Sequence, residues 1–199
     1  WNPERPVLYT AFISIYNKGK LLHTVSQKFG FRTVEVKQRD GIYVNGVKVK
    51  MKGVNRHAFR PETGRTTSKQ ISIEDVLLMK EMNMNAVRMS HYPPDDHFLD
   101  VCDSLGLFVM DELAGWHGNY DEPTGKKLLK EMIDHDANHP SVIMWSFGNE
   151  LQFQEERWNW PTTDWGITTY KIMDVVAKRY DPTRKTTVAM YPARAGGII

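Results

Sequence analysis

The chain has 199 residues, 41% hydrophobic and 25% charged, the make-up of an ordinary globular protein of one domain or of one domain and part of another. Lys and Arg number 26 against 24 Asp and Glu, a formal net charge of +2 with no basic block. That balance excludes a partner chosen by bulk charge, such as nucleic acid or an anionic membrane, and no apolar run approaches the roughly 18 to 20 residues that cross a bilayer.

The chain opens at Trp1 with neither an initiator Met nor a signal peptide, and so reads as a piece of a longer protein. Residues 7–36 read as three short strands, "VLYTAFISIY", "KLLHTVSQKF" and "FRTVEV", the first two separated by the turn signal Asn17-Lys18-Gly19. This is part of an antiparallel sheet, too small to be a stable sandwich alone. Gly41 and the "VNG" at 44–46 mark a short hairpin.

After residue 40 the pattern alternates. Strand "VKMKGVN" (49–55) leads to a helix over 73–82, opened by Ser72 with Asp75 three residues on. Strand "NAVRMS" (85–90) is followed by a helix over 95–105, stopped by Gly106, with Phe98, Cys102 and Leu105 on one face. The lone Cys102 rules out internal disulfides and reads as a small apolar core residue. Strand "LFVMDE" (107–112), a helix over 125–137, strand "VIMWSFGNE" (142–150), a helix over 164–180 and strand "TTVAMY" complete the chain. Apolar strands alternating with amphipathic helices predict a parallel sheet with right-handed crossovers.

No glycine-rich phosphate loop follows the first of these strands, which argues against a nucleotide-binding sheet. Instead, polar residues collect at the strands' C-terminal ends: Asn55-Arg56-His57, Arg88 to Tyr92, Asp111-Glu112 and Asn149-Glu150. In a (β/α)8 TIM barrel the functional residues sit at that end, so the chain is expected to form about the first five strands of such a barrel. An isolated acid at a strand end is commonly a solvated residue or a helix cap. Glu150 is set apart by Asn149 beside it and by the polar ends of the other strands. Trp145, in mid-strand, reads as core before binding surface.

"NAVRMSHYPPDDHFLDVCDSLGLFVMDE" (85–112) resembles the first signature segment of glycoside hydrolase family 2, with Met89 where that family has a small residue. "NHPSVIMWSFGNE" (138–150) resembles its acid/base segment, and "GVNRHAFRPETGR" (53–65) its first barrel strand and loop. "WNPERPVLY" and "FGFRTVEV" resemble the end of the immunoglobulin-like β-sandwich that precedes the barrel. The resemblance implies sandwich strands over 1–39 and the N-terminal portion of a TIM-barrel catalytic domain over 40–199. It also implies a retaining β-glycosidase acting on β-linked galactosides, with a β-glucuronidase as the alternative. Glu150 would be the general acid/base and Asn149 the partner of the sugar 2-hydroxyl. His57 and His91 would line the sugar site, and Arg88 would orient the nucleophile or pair with Asp111 or Glu112. Those two acids would shape the pocket floor, and Trp116 and His117 are candidate substrate contacts on the following loop.

Such hydrolysis needs two carboxyls about 5 to 5.5 Å apart, and a carboxyl carried into a dry cleft on an apolar strand suits the donor role. The carboxylates after Glu150 are Glu155, Glu156, Asp164, Asp174 and Asp181, none at a strand end. The nucleophile is therefore expected beyond residue 199 and the isolated chain is expected to be inactive. No cofactor is expected. The loop "DELAGWHGNY" carries His117 but no second Glu, which argues against magnesium. "HDANH" (135–139) spaces two histidines as zinc proteases do, but Asp136 stands where they need Glu and Pro140 ends the helix. A non-catalytic sugar-binding relative is the remaining rival. An open barrel edge also predicts self-association of the isolated piece.

Overall fold

The computed structural model describes residues 1–114, 122–151 and 164–190. It begins with an antiparallel hairpin, β1 (Tyr9–Asn17) and β2 (Lys20–Phe29), turned at Lys18 and Gly19, both at positive φ. Both faces of this hairpin are wet: Phe12, Ile13, Ile15, Tyr16, Leu21 and Leu22 are all exposed.

A second antiparallel sheet joins β3 (Val34–Lys37), β4 (Gly41–Val44) and β5 (Val47–Val49). Its turn, Asn45-Gly46, has φ of 50° and 78°, the left-handed pair that a two-residue hairpin demands. Two sequence expectations change here. "FRTVEV" pairs forward with β4 in the register Val34↔Val44, not back onto the first hairpin. The run 49–55 divides between β5 and the strand after it.

The remaining elements alternate: β6 (Gly53–Arg56), α1 (Lys69–Glu81), β7 (Ala86–Met89), α2 (Asp96–Leu105), β8 (Phe108–Glu112), α3 (Glu122–Asp136), β9 (Val142–Leu151), α4 (Asp164–Tyr180) and β10 (Lys185–Met190). The five strands pair in parallel, each beside its predecessor, in the order β10-β9-β8-β7-β6. Four βα units and a fifth strand therefore form the first arc of a (β/α)8 barrel, as the alternation predicts. Helix α1 starts earlier than its sequence suggests. Ser68 caps it, accepting the Ile71 N–H at 3.3 Å, whereas Ser72 is buried with its hydroxyl 2.9 Å from His97 Nδ1.

Two apolar layers hold the arc. Val87, Val109, Trp145 and Phe147 face the helices and pack with Val76, Phe98, Leu129 and Met173. Phe108, Ile143 and Met144 pack with Trp1 and Val44, so the N-terminal segment and second sheet cover a separate apolar face. Buried polar groups lock the joints. Trp145 Nε1–H donates to Asp181 at 2.9 Å, and Arg184 donates to Asp181 at 2.6 Å and to the Val142 carbonyl at 2.7 Å. Burial opposes the Asp181 charge, but Arg184 and the Thr183 donors outweigh it and hold this acid down at about 2. Trp145 is thus core, as its mid-strand position predicts.

Gly106 ends α2 in the left-handed region at φ 78°, where a Cβ would stand 2.3 Å from the Pro3 carbonyl oxygen. Backbone conformation and close approach both require glycine here. Gly106→Ala is expected to destabilise the fold by roughly 1–3 kcal/mol, read as a lower midpoint in denaturant unfolding.

Candidate active site

Several of the polar residues foreseen at the strand ends gather around one group, the carboxylate of Glu112 at the end of β8. Glu112 is fully buried, and a lone charge there would be very costly without partners. It has four. Arg88, near the end of β7, donates from Nε at 2.7 Å and Nη2 at 3.0 Å, a fork matched to a carboxylate. His91 Nδ1 lies 2.8 Å from Oε1 and, with Nδ1 protonated, donates to it. Ser146 of β9 donates at 2.7 Å to the other oxygen. A single carboxylate thereby ties β7, β8 and β9 together at their C-terminal ends.

Arg88 reaches further. Its Nη2 also donates to Asn149 Oδ1 at 2.9 Å, and Nη1 lies 3.5 Å from Asn55 Oδ1 at the end of β6. Holding the Asn149 oxygen turns the amide NH2 group away from Arg88, where it can donate elsewhere. Asn149 is itself buried. Glu150 follows it, half-buried, with φ of +50°, a left-handed conformation costing a non-glycine residue about 1–2 kcal/mol. The pairing of β9 with β10 is irregular here, Ala189 facing Asn149 and Met190 facing Leu151. A strained acid at the C-terminal end of a barrel strand is a feature that functional sites retain.

His57 stands across from His91, their rings 5.2 Å apart at 83°, and 6.3 Å from the ring of Tyr92. The Tyr92 hydroxyl accepts the Ala58 N–H at 3.0 Å and pins the start of the loop after β6. Desolvation, then electrostatic coupling to His91 and the positive charges of Arg65 and Arg88, hold the His57 imidazole below its ordinary value, so it is neutral at neutral pH. The Ser90–His91 peptide is cis.

Of the predicted residues, Arg88, His91, Glu112 and Asn149 are brought into one network, with His57 against it and Glu150 beside Asn149. Trp116 and His117 lie outside the described residues. Asp111 is a correction: it does not share the face of Glu112. Side chains along a strand alternate, so Asp111 points to the helical layer, fully buried. One of its oxygens accepts the Glu112 N–H at 2.9 Å. The other has no donor unless the acid itself carries a proton, which it shares with Asp136 of α3. Burial first, then the Asp136 charge, push Asp111 well above the carboxylate range.

Sequence reasoning missed Ser146, although its place as a lone hydroxyl in an apolar strand was a usable sign. The two histidines with protease-like spacing turn to different acids. His135 Nδ1 meets Asp136 and His139 Nδ1 meets Asp103, each at 2.6 Å. Among the described residues, no group of three or more His, Cys, Asp or Glu is arranged to hold a metal ion.

The comparisons with known proteins bear on the family and the fold. The profile described as "Glycosyl hydrolases family 2, TIM barrel domain" matches residues 34–191, and "Glycosyl hydrolases family 2" matches residues 1–32. A putative beta-glucuronidase of Formosa agariphila is 35% identical over 195 residues, covering 96% of this chain and 24% of that protein. A beta-galactosidase of Thermoanaerobacterium thermosulfurigenes is 36% identical over 196 residues, covering 96% of this chain and 25% of that protein. The crystal structure of Parabacteroides merdae beta-glucuronidase superposes with a TM-score of 0.84 at 28% identity, over 94% of this chain and 24% of that one. The chain thus spans about a quarter of the length of these relatives.

Two outcomes follow. Glu112→Ala leaves Arg88 without its counter-ion and is expected to cost about 3–5 kcal/mol in denaturant unfolding. For Asp111, the raised folded value means that its stabilising contribution is complete below the ordinary carboxylate range, near pH 4, and is lost as pH rises towards the folded value. Asp111→Asn keeps an acceptor for Glu112 and a donor for Asp136 without ionising. Its stability should match that of the parent near pH 4 and exceed it increasingly above, by up to about 1.4 kcal/mol per pH unit, in unfolding measured across pH.

Proposed function

The chain belongs to glycosyl hydrolase family 2, and from that membership we propose that the protein carrying it is a retaining β-glycosidase acting on terminal β-D-galactosides. The observation that carries this reading is the end of β9, where Arg88 holds Asn149 by its oxygen and Glu150 follows on a strained backbone. Glu150 protonates the glycosidic oxygen as a second carboxylate attacks the anomeric carbon and the aglycone leaves. Glu150 then takes a proton from water, whose oxygen attacks the same carbon and releases the sugar. The Asn149 amide donates to the sugar 2-hydroxyl, a bond that strengthens as charge develops in the transition state.

Neutral His57 can donate or accept through its imidazole, and with His91 it lines the sugar. Arg88 acts on the reacting groups through the residues it positions. No step requires a cofactor or a metal ion, and the partner is the glycoside itself. A second reading, β-glucuronides as substrates, is favoured by the names of similar proteins, which include both beta-galactosidases and beta-glucuronidases.

The test is a panel of nitrophenyl β-glycosides on the full product of the gene. Glu150→Gln is expected to lower kcat by roughly 10²–10⁴-fold, with partial rescue for leaving groups that need no proton. Unchanged turnover in that variant would remove Glu150 from the acid/base role. Preference for glucuronide over galactoside would select the second reading.

A further inference from the structure

Three arginines come from the segment formed by the end of β6 and the loop that follows, and two of them share one carboxylate. Arg56 and Arg60 both pair with Asp75 of α1, at 2.9 and 2.5 Å. Arg65 is different. Among the described residues no carboxylate lies within ion-pairing distance of it, and its guanidinium lies over the Tyr92 ring, 3.9 Å from the ring centre. Tyr92 is fixed by the Ala58 N–H and stands beside His57, whose imidazole feels the Arg65 charge.

An exposed arginine normally samples many rotamers, and stacking on an aromatic face removes much of that freedom before any ligand arrives. The planar fork remains available at its edge, the geometry that takes a carboxylate or sulfate through paired hydrogen bonds. The other guanidinium in the site, that of Arg88, is already consumed by Glu112 and Asn149. Arg65 is therefore, among the described residues, a cation with no carboxylate partner whose charge reaches His57.

We propose that Arg65 is a specificity-determining residue that receives an anionic substituent, a carboxylate or sulfate, of the glycoside bound beside His57 and Tyr92. This rests on the glycosidase reading given above, favours acidic over neutral glycosides within it, and adds the residue that receives the anion. The anion can belong to the sugar ring or to the group attached to it, and the substrates chosen separate the two.

The test compares the parent, Arg65→Gln and Arg65→Lys in the full product of the gene on three substrates. These are a neutral nitrophenyl β-galactoside, a nitrophenyl β-glucuronide and a carboxyphenyl β-galactoside. The ratio of kcat/KM for an acidic substrate to that for the neutral one is expected to fall roughly 10- to 100-fold in Arg65→Gln, with part of it kept in Arg65→Lys. The acidic substrate whose ratio falls identifies where the anion sits. Ratios unchanged for both would overturn the assignment, and so would equal losses on all three substrates. If the parent cleaves none of them, the glycosidase reading fails, and calorimetric titration with D-glucuronate against D-glucose decides Arg65 separately. A preference for glucuronate lost in Arg65→Gln supports the assignment, and no preference in the parent overturns it.

Discussion

A carboxylate with no access to water organises this site. The charge of Glu112 is stable only while Arg88, His91 and Ser146 all point at it, and those partners come from β7, the segment after it, and β9. Each partner is held in turn by its strand. Neutralising one buried charge therefore fixes the relative height of neighbouring strands, and with it the position of Asn149 and Glu150. The groups proposed to bind the sugar are thus already held in place, the arrangement that catalysis by positioning requires.

The pair Asp111-Glu112 shows how sharply a strand partitions chemistry. The two acids are adjacent in sequence and both fully buried, yet they face opposite layers. Glu112 sits among guanidinium, imidazole and hydroxyl groups. Asp111 meets another acid, Asp136, and takes a proton to satisfy it. Asp111 still serves the site at one remove, because its oxygen accepts the Glu112 N–H and steadies the backbone under the central carboxylate.

Other residues of the family-like segments prove to be joints in the framework. Asp103 of α2 accepts from His139 and from the Ser141 N–H, while its own carbonyl accepts from the Trp1 indole. It ties the N-terminal segment, α2 and the start of β9 together. Burial works against the His139 charge, but Asp103 outweighs it and keeps this histidine above its ordinary value. Arg32 donates to the Pro140 and Val142 carbonyls from the other side, so the strand bearing Asn149 and Glu150 is clamped at its base.

The barrel order, the helices and the polar strand ends were legible in the residues, because alternation of period two and period 3.6 is a local property of the chain. So were Gly106 as a helix stop and Trp145 as core. Family-like motifs then named Glu150, Asn149, His57, His91 and Arg88 together. Three things were not legible. Which of two adjacent acids faces the site depends on strand register, and register is set by neighbouring strands. Where "FRTVEV" pairs depends on a partner further along the chain. That Arg65 stacks on Tyr92 depends on a loop folding over a residue 27 positions away, a juxtaposition that exists only once β6 and β7 are side by side.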